Sequence, residues 1–282
     1  MRLNVFRTLW GVTTPWQQTV SELRSVGCCG IEARVPLTPE EQRTLAQRIE
    51  ASALEYIAIV FSGGGVIPAQ AETPAQHLER LKERFAAAKA LNPRFVNLLA
   101  GNDRWPLAQQ VDFLGRAHEL ATEYELFCSF ETHRATSLYS PWLTLEIIQQ
   151  LPQLRFTGDI SHWIVVSERL LDDPCDDFSA FIDRVHHVQA RVGYDQGPQV
   201  PHPAAPEYRA ALRFQQRFWE QIWQSQRRRG YQHTTLTPEF GPDGYLHHLP
   251  FTNVPVADLW SLNAWMAQRE QQHFVEFTSQ TE

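Results

Sequence analysis

The chain has 282 residues, 43% of them hydrophobic, and 25 basic against 32 acidic residues give a formal net charge of -7. This length is large for one ordinary domain but still allows a single one with a sizeable core. The acidic balance disfavours broad attraction to nucleic acid or to anionic membranes. The four cysteines form no CxxC pair, so neither a structural zinc site nor a disulfide scaffold is expected.

No signal for export or membrane insertion stands out in the sequence. The first residues lack the apolar core of a signal peptide, and no apolar run reaches the length that spans a bilayer. We therefore expect a cytoplasmic protein that works without membrane or nucleic-acid partners.

Short apolar runs alternate along the chain with longer amphipathic stretches, which is typical of repeated strand–helix units. Strands are predicted over eight runs: Leu3–Phe6, Gly30–Val35, Tyr56–Phe61, Phe95–Leu99, Leu126–Glu131, Arg155–Asp159, Val185–Arg191 and Thr234–Glu239. Thr14, Thr38 and Thr73 each precede a proline and are predicted helix N-caps. Two long helices are expected later, over Ala204–Arg229 and Val256–Arg269.

The predicted strands follow one another at intervals of roughly 25 to 50 residues, which fits strand–helix repeats with loop insertions. Eight parallel strands joined by right-handed helical crossovers close into a (β/α)₈ barrel. An open doubly wound sheet favours a glycine-rich phosphate turn after its first strand, and none is present there. Gly63–Gly65 lacks the spacing of such a turn and is interpreted as a flexible loop. We predict one α/β domain, a TIM barrel over residues 1–282.

Acidic residues stand at three predicted strand ends, where barrels of this type place their catalytic groups. Glu131, Asp159 and Glu239 would repel one another in a water-poor pocket, and a divalent cation would compensate them. Their oxygens, with the carbonyl oxygen of Gln189, suit Mn²⁺ or Mg²⁺, whereas Zn²⁺ or Co²⁺ stays open if a histidine joins them.

A more ordinary interpretation of these acids is also open. Each could form a structural salt bridge, with Arg134 and Arg191 as the nearest candidates in sequence. The coincidence of three acids at three strand ends favours the metal site.

Further polar residues near the strand ends are candidates for substrate binding. His187, Gln189 and Arg191 alternate along one strand and therefore share a face, which indicates an occupied or wet barrel interior. His162 follows Asp159 at a spacing that turns both into one pocket. The remaining candidates for substrate binding are His133 and Glu32, and those for stacking on a sugar ring are Trp10, Trp105 and Trp163.

Five segments resemble the xylose isomerase-like TIM barrel superfamily, the sugar phosphate isomerase/epimerase group, over nearly the whole chain. They are Gly30–Arg34, Phe130–Arg134, Asp159–His162, His187–Pro201 and Thr237–Pro242. The resemblance implies a metal held by Glu131, Asp159, residue 189 and Glu239. The family has histidine at position 189, where this chain has glutamine. The scarcity of histidines at the strand ends argues against the endonuclease IV branch, whose three-zinc cluster needs many more.

The implied activity is isomerisation or epimerisation of a small sugar, sugar phosphate or related polyol through an enediolate, with Glu131 and Glu239 as the acid–base pair. Two alternatives stay open. One is a metal-dependent dehydratase of a sugar-like or cyclitol substrate, and the other is a non-catalytic barrel that has lost its metal through Gln189. The expected partner is a small-molecule substrate, and the helical surface of a barrel also allows a homo-oligomer.

Overall fold

The structure is a computed structural model that describes residues 1–280. Eight parallel strands form a closed barrel in sequence order, which confirms the predicted (β/α)₈ architecture. The strands are β1 (Arg2–Thr8), β2 (Gly30–Arg34), β3 (Glu55–Phe61), β4 (Phe95–Leu99), β5 (Cys128–Glu131), β6 (Phe156–Gly158), β7 (Val185–Gln189) and β8 (His233–Thr237).

Helices follow the strands and surround the barrel. They are α1 (Trp16–Ser25), α2 (Pro39–Ser52), α3 (Pro74–Ala90), α4 (Leu107–Glu123), α5 (Pro141–Gln150), α6 (Ser161–Ser167), α7 (Ser179–Ile182), α8 (Arg209–Arg228) and α9 (Leu259–Gln280), with a 3₁₀ turn at Pro206–Tyr208. Within the described residues, no helix is long and apolar enough to cross a membrane. The domain bounds of 1–282 stay a prediction, since Thr281 and Glu282 lie outside the described residues.

Two of the three predicted threonine caps are present. The hydroxyl of Thr38 accepts from the backbone N–H of Glu41 at the start of α2. Thr73 and Gln76 form a complete capping box at the start of α3. These bonds satisfy helix N–H groups that have no partner inside the helix.

The prediction for Thr14 is wrong. Pro15 occupies the N-cap position of α1, which has no side-chain cap bond. The hydroxyl of Thr14 instead lies 2.9 Å from the hydroxyl of Thr19 inside the helix. The last helix also begins at Leu259, later than the predicted Val256, because Asp258 accepts from the backbone N–H of Ser261 and caps it there.

Chain contacts cluster into two groups, and the first covers residues 1–31, 159–177 and 187–282. In this group β8 pairs with β1 and with β7, and Thr235 stands level with both Asn4 and His187. Aromatic side chains of α8 and α9, including Trp219, Trp223 and Phe274, are buried in the same group.

The second group covers residues 32–158 and 178–186. Its strands pair in the order β3, β4, β5 and β6, and Asn97 on β4 stands level with Ile59 and Ser129. β3 is a near-continuous apolar run that is buried through its centre, as expected for a parallel strand covered by helices.

Several strands end earlier than predicted, and the difference falls at the candidate site. Asp159 directly follows β6, Arg191 lies two residues past β7, and Glu239 lies two residues past β8. These residues belong to the first turns of the following loops, whose backbone is shaped by side-chain hydrogen bonds and not by the strand ladder.

Candidate metal centre and active site

The predicted site residues are all buried, and most of them lie at or just past the carboxyl ends of strands. Glu131 closes β5 and Gln189 closes β7, whereas Glu32 lies within β2. No more than 8% of any of these residues is exposed, a set that comprises Glu32, Glu131, His133, Asp159, His162, His187, Gln189, Arg191 and Glu239. Buried polar groups at this density require mutual pairing or a bound ion.

Arg191 is the centre of the polar cluster in the first group of residues. Its Nη2 contacts the carboxylate of Asp159 and lies 3.3 Å from Oε2 of Glu239. The same nitrogen lies 2.9 Å from Nε2 of His162. Because a guanidinium can only donate, Nε2 of His162 accepts and its ring proton resides on Nδ1. The alternative expectation of a salt bridge to Arg191 is therefore observed for two of the acids.

Asp159 is held by its own loop as well as by Arg191. The backbone N–H and the hydroxyl of Ser161 donate to its Oδ1 at 3.0 and 2.5 Å. Complete burial raises the pKa of Asp159, and the opposing effects of Arg191 and the Ser161 bonds do not cancel that rise. A carboxylate in such surroundings gains strongly from a nearby cation.

Aromatic rings contact the guanidinium of Arg191. Its carbon lies 4.7 Å from the ring centre of Tyr245 and 5.9 Å from that of Trp10. Nε1 of Trp10 donates to Asp243 at 2.7 Å. Both rings come from loops that follow strands, and they favour the positive charge through their π faces.

His187 and Gln189 complete β7 in the same group. Nδ1 of His187 lies 2.9 Å from the hydroxyl of Thr235 on β8. Both side chains are buried, and their sharing of one face stays a prediction from strand alternation. Gln189 as a metal ligand stays a prediction.

In the second group, Asn97 links two acids. Its Nδ2 donates to Oε1 of Glu32 at 2.9 Å and to Oε2 of Glu131 at 2.7 Å. The amide therefore fixes the carboxylate of Glu131 from the side of β4. His133, which follows two residues after Glu131, has its Nδ1 2.6 Å from the backbone oxygen of Arg134.

Two sets of side chains offer ligand atoms that lie within 4.8 Å of one another: Glu131 with Asp159 and Glu239, and Glu131 with His133 and His162. The first set supplies hard carboxylate oxygens, the donors that Mn²⁺ and Mg²⁺ prefer. The second set adds two imidazoles, which would suit Zn²⁺ or Co²⁺ better. The donor chemistry of the first set thus fits one hard divalent ion, and the assignment of these residues as ligands stays a prediction.

A family model of the xylose isomerase-like TIM barrel matches residues 20–242 of the chain. The protein belongs to this family. Among solved structures, a D-tagatose 3-epimerase-like protein is 13% identical with a TM-score of 0.64 and covers 100% of both chains.

Two other solved structures are about as similar to this chain as the epimerase-like protein is. The probable 3-DHS dehydratase AsbF from Bacillus anthracis is 13% identical with a TM-score of 0.59, covering 95% of this chain and 98% of its own. The IolI protein with a bound zinc atom is 12% identical with a TM-score of 0.61, covering 99% of each chain. Identities this low show a shared fold. No protein of curated function matches the chain in sequence.

Several other sequence candidates have different surroundings in this family member. Trp163 is completely buried, and Trp105 donates from its indole to the backbone oxygen of Glu72, so neither presents a free face for a sugar. The Gly63–Gly65 loop is tied down, since Gly64 donates its N–H to the Glu72 carboxylate. Burial raises the pKa of Cys28 to about 12, as expected for a thiol in apolar surroundings.

Sequence reasoning missed Ser161 and Tyr245 as site residues. For Ser161 a signal was available, since a serine two residues after an aspartate is a common turn that satisfies the carboxylate. Asn97 was readable as a polar residue inside an otherwise apolar strand. No feature of the sequence indicated the contact between Tyr245 and Arg191.

Proposed function

We propose that the protein is a divalent-metal-dependent isomerase or epimerase of a small sugar, sugar phosphate or related polyol. The observation that carries this proposal is the proximity of one carboxylate oxygen each from Glu131, Asp159 and Glu239, in a barrel whose family and structural neighbours include sugar epimerases. We propose a cytoplasmic setting and a small-molecule partner on the same grounds.

Glu131, Asp159 and Glu239 would hold the ion, and Gln189 would add its amide oxygen. When bound, a divalent ion would polarise the substrate carbonyl and offset negative charge on its oxygen. The donor set favours Mn²⁺ or Mg²⁺.

Glu131 and Glu239 would share the proton transfers. One carboxylate removes the proton on the carbon next to the substrate carbonyl, and the electron pair moves to the carbonyl oxygen to give an enediolate. The other returns a proton to the opposite face or to the neighbouring carbon, which yields an epimer or the isomeric sugar. Arg191 lies 3.3 Å from Glu239 and would offset part of its negative charge.

The groups for holding substrate oxygens are cationic or hydrogen-bonding. Arg191 and His162 would bind the oxygens around the reacting carbons, while His133, His187 and Glu32 would serve the rest of the molecule. Trp10, at the edge of the Arg191 cluster, would offer a ring face. Binding energy from these groups would orient the reacting carbon toward the two carboxylates.

A dehydratase is the second candidate, and its support is the structural similarity to the probable dehydratase AsbF. The same enediolate or enolate would then expel a hydroxyl from the next carbon as water. Product mass separates the two candidates, because an isomerase conserves the mass and a dehydratase loses one water.

The test is turnover by protein reconstituted with Mn²⁺, in deuterated water, on a panel of aldoses, ketoses, cyclitols and their phosphates. We expect deuterium at the carbon next to the carbonyl, together with an epimer or isomer. Glu239→Gln should lower the rate by about a thousandfold or more, because the amide cannot accept the proton.

Asp176→Asn is the matched control. Asp176 is a half-buried acid that is ion-paired with Arg169, so this variant makes the same chemical change away from the site residues. It should retain turnover. Retained activity in Glu239→Gln would contradict the assignment of Glu239, and a product lighter by one water would select the dehydratase.

A further inference from the structure

Three consecutive residues shortly after β8, Glu239 to Gly241, have their backbone held by side chains of other segments. At Glu239, the backbone oxygen accepts from Nη1 of Arg191 at 3.3 Å. At Phe240, the N–H donates to Oδ1 of Asn263 and the carbonyl accepts from Nδ2 of Asn263, both at 2.9 Å. Asn263 thus makes two bonds to one residue, as a neighbouring strand would.

Gln199 repeats this arrangement at the next residue. The N–H of Gly241 donates to Oε1 of Gln199 at 2.9 Å, and Nε2 of Gln199 donates to the carbonyl of Gly241 at 3.3 Å. Only 1% of Gln199 is exposed. We call Gln199 and Asn263 the amide pair.

Each member of the amide pair is itself anchored. Nδ2 of Asn263 also lies 3.2 Å from the backbone oxygen of Leu259 in the first turn of α9. The backbone oxygen of Gln199 lies 2.9 Å from Nε2 of His247, and its neighbour Val200 donates to Val192 at 2.8 Å. The two amides therefore reach the segment after β8 from two separately held elements.

The pattern of backbone hydrogen bonds explains why both members of the amide pair carry a side-chain amide. A buried backbone N–H and C=O on one residue need an acceptor and a donor side by side, and only a side-chain amide offers both in one rigid plane. The segment is also packed tightly, since a Cβ at Gly241 would lie 2.0 Å from the ring of Trp10. The backbone next to Glu239 is therefore held by hydrogen bonds and by direct ring contact.

We propose that Gln199 and Asn263 are positioning residues that aim the Glu239 carboxylate for metal and substrate. This inference rests on the proposed function, in which Glu239 is a ligand and an acid–base group. Both amides act through the Phe240 and Gly241 backbone. Their loss should let Glu239 move while the strands and helices stay in place, and groups that orient a ligand typically change metal affinity by about 10-fold to 100-fold.

The experiment compares Gln199→Met and Asn263→Leu with wild type in the full-length protein. Both changes keep side-chain size and remove the paired bonds. We expect Mn²⁺, titrated alone and followed by calorimetry, to bind each variant about 10-fold more weakly. Amide hydrogen exchange should become faster at Gly241 in the first variant and at Phe240 in the second. If only one of the two variants folds, that variant alone is sufficient for the test.

Gln110→Met is the matched control. Gln110 is a buried amide on α4 that donates to the backbone oxygen of Trp105 at 2.6 Å. This variant should lose stability comparably and leave Mn²⁺ affinity unchanged. Unchanged Mn²⁺ affinity in the two test variants would overturn the positioning role and leave the amide pair purely structural. Absence of Mn²⁺ binding in wild type would instead overturn the proposed function and this inference together.

Discussion

At the scale of single residues, Arg191 determines the electrostatics of the candidate site. Its guanidinium contacts Asp159 and lies 3.3 Å from Glu239, so the acids have a partial counter-charge before any ion arrives. Removing only one partner of a buried ion pair leaves an uncompensated charge. Variants that test Arg191 therefore have to separate the effect of its positive charge from the effect of its side-chain shape.

Arg191→Met should strengthen Mn²⁺ binding by about 10-fold, because the guanidinium and the ion carry like charges and compete for the same carboxylates. Turnover should fall in the same variant, since a substrate-binding group is lost. Arg191→Lys retains the positive charge and should bind Mn²⁺ about as wild type does. Calorimetric titration of both variants measures this, and weaker Mn²⁺ binding by Arg191→Met would show that the arginine organises the acids and does not compete with the ion.

Sequence alone identified the acids but not the contacts that orient them. The three acids could be recognised as candidates in the sequence because each follows an apolar run: Glu131, Asp159 and Glu239. The bridge from Asn97 to Glu32 and Glu131 depends on side chains that are far apart in sequence. Strand alternation places a side chain on a face, whereas hydrogen-bond partners depend on the register of neighbouring strands.

At the scale of elements, α8 and α9 are joined by a partly buried ionic network. Nδ1 of His273 lies 2.8 Å from Glu270, and Nε2 lies 2.8 Å from Glu220. Gln216 donates to the second oxygen of Glu270 at 2.7 Å. Burial lowers the pKa of His273, but the bonds and charges of the two glutamates outweigh burial and raise it overall.

A raised pKa in the folded state means that protonated His273 stabilises the fold. This contribution is complete below about pH 6.5, the ordinary pKa of histidine, and is lost as the pH rises through the folded pKa. His273→Gln should therefore lower the melting temperature by several degrees at about pH 6 and by less at about pH 9. Thermal unfolding at both values measures this, with the exposed His248→Gln as control. An equal loss at both values would contradict the ionic role.

Helix starts show how far local sequence determines an element. Thr38 and Thr73 were predicted as caps because a proline follows each of them, and the cap bonds are present. Thr14 has the same Thr-Pro pattern, yet its hydroxyl pairs with Thr19. The competing partner comes from the next helical turn, which a pattern of two residues does not reveal.

At the scale of the whole molecule, the barrel was predictable because eight apolar runs alternate with amphipathic stretches. Parallel strands with helical crossovers leave few other topologies for this pattern. The chemistry was less predictable, since one barrel supports many reactions and the loops after the strands select among them. Gln189 illustrates this point, because glutamine and histidine at the end of one strand would offer different donor atoms to an ion.

The most direct test of the account is whether one divalent ion binds through the three acids. Mn²⁺ should bind the chelator-stripped protein at one site per chain. Glu131→Gln, Asp159→Asn and Glu239→Gln should each weaken that binding by about 10-fold or more, and Asp176→Asn should leave it unchanged. Absence of saturable Mn²⁺ binding by the wild-type protein would contradict the account. So would an affinity for Mn²⁺ in the three acid variants that equals that of wild type.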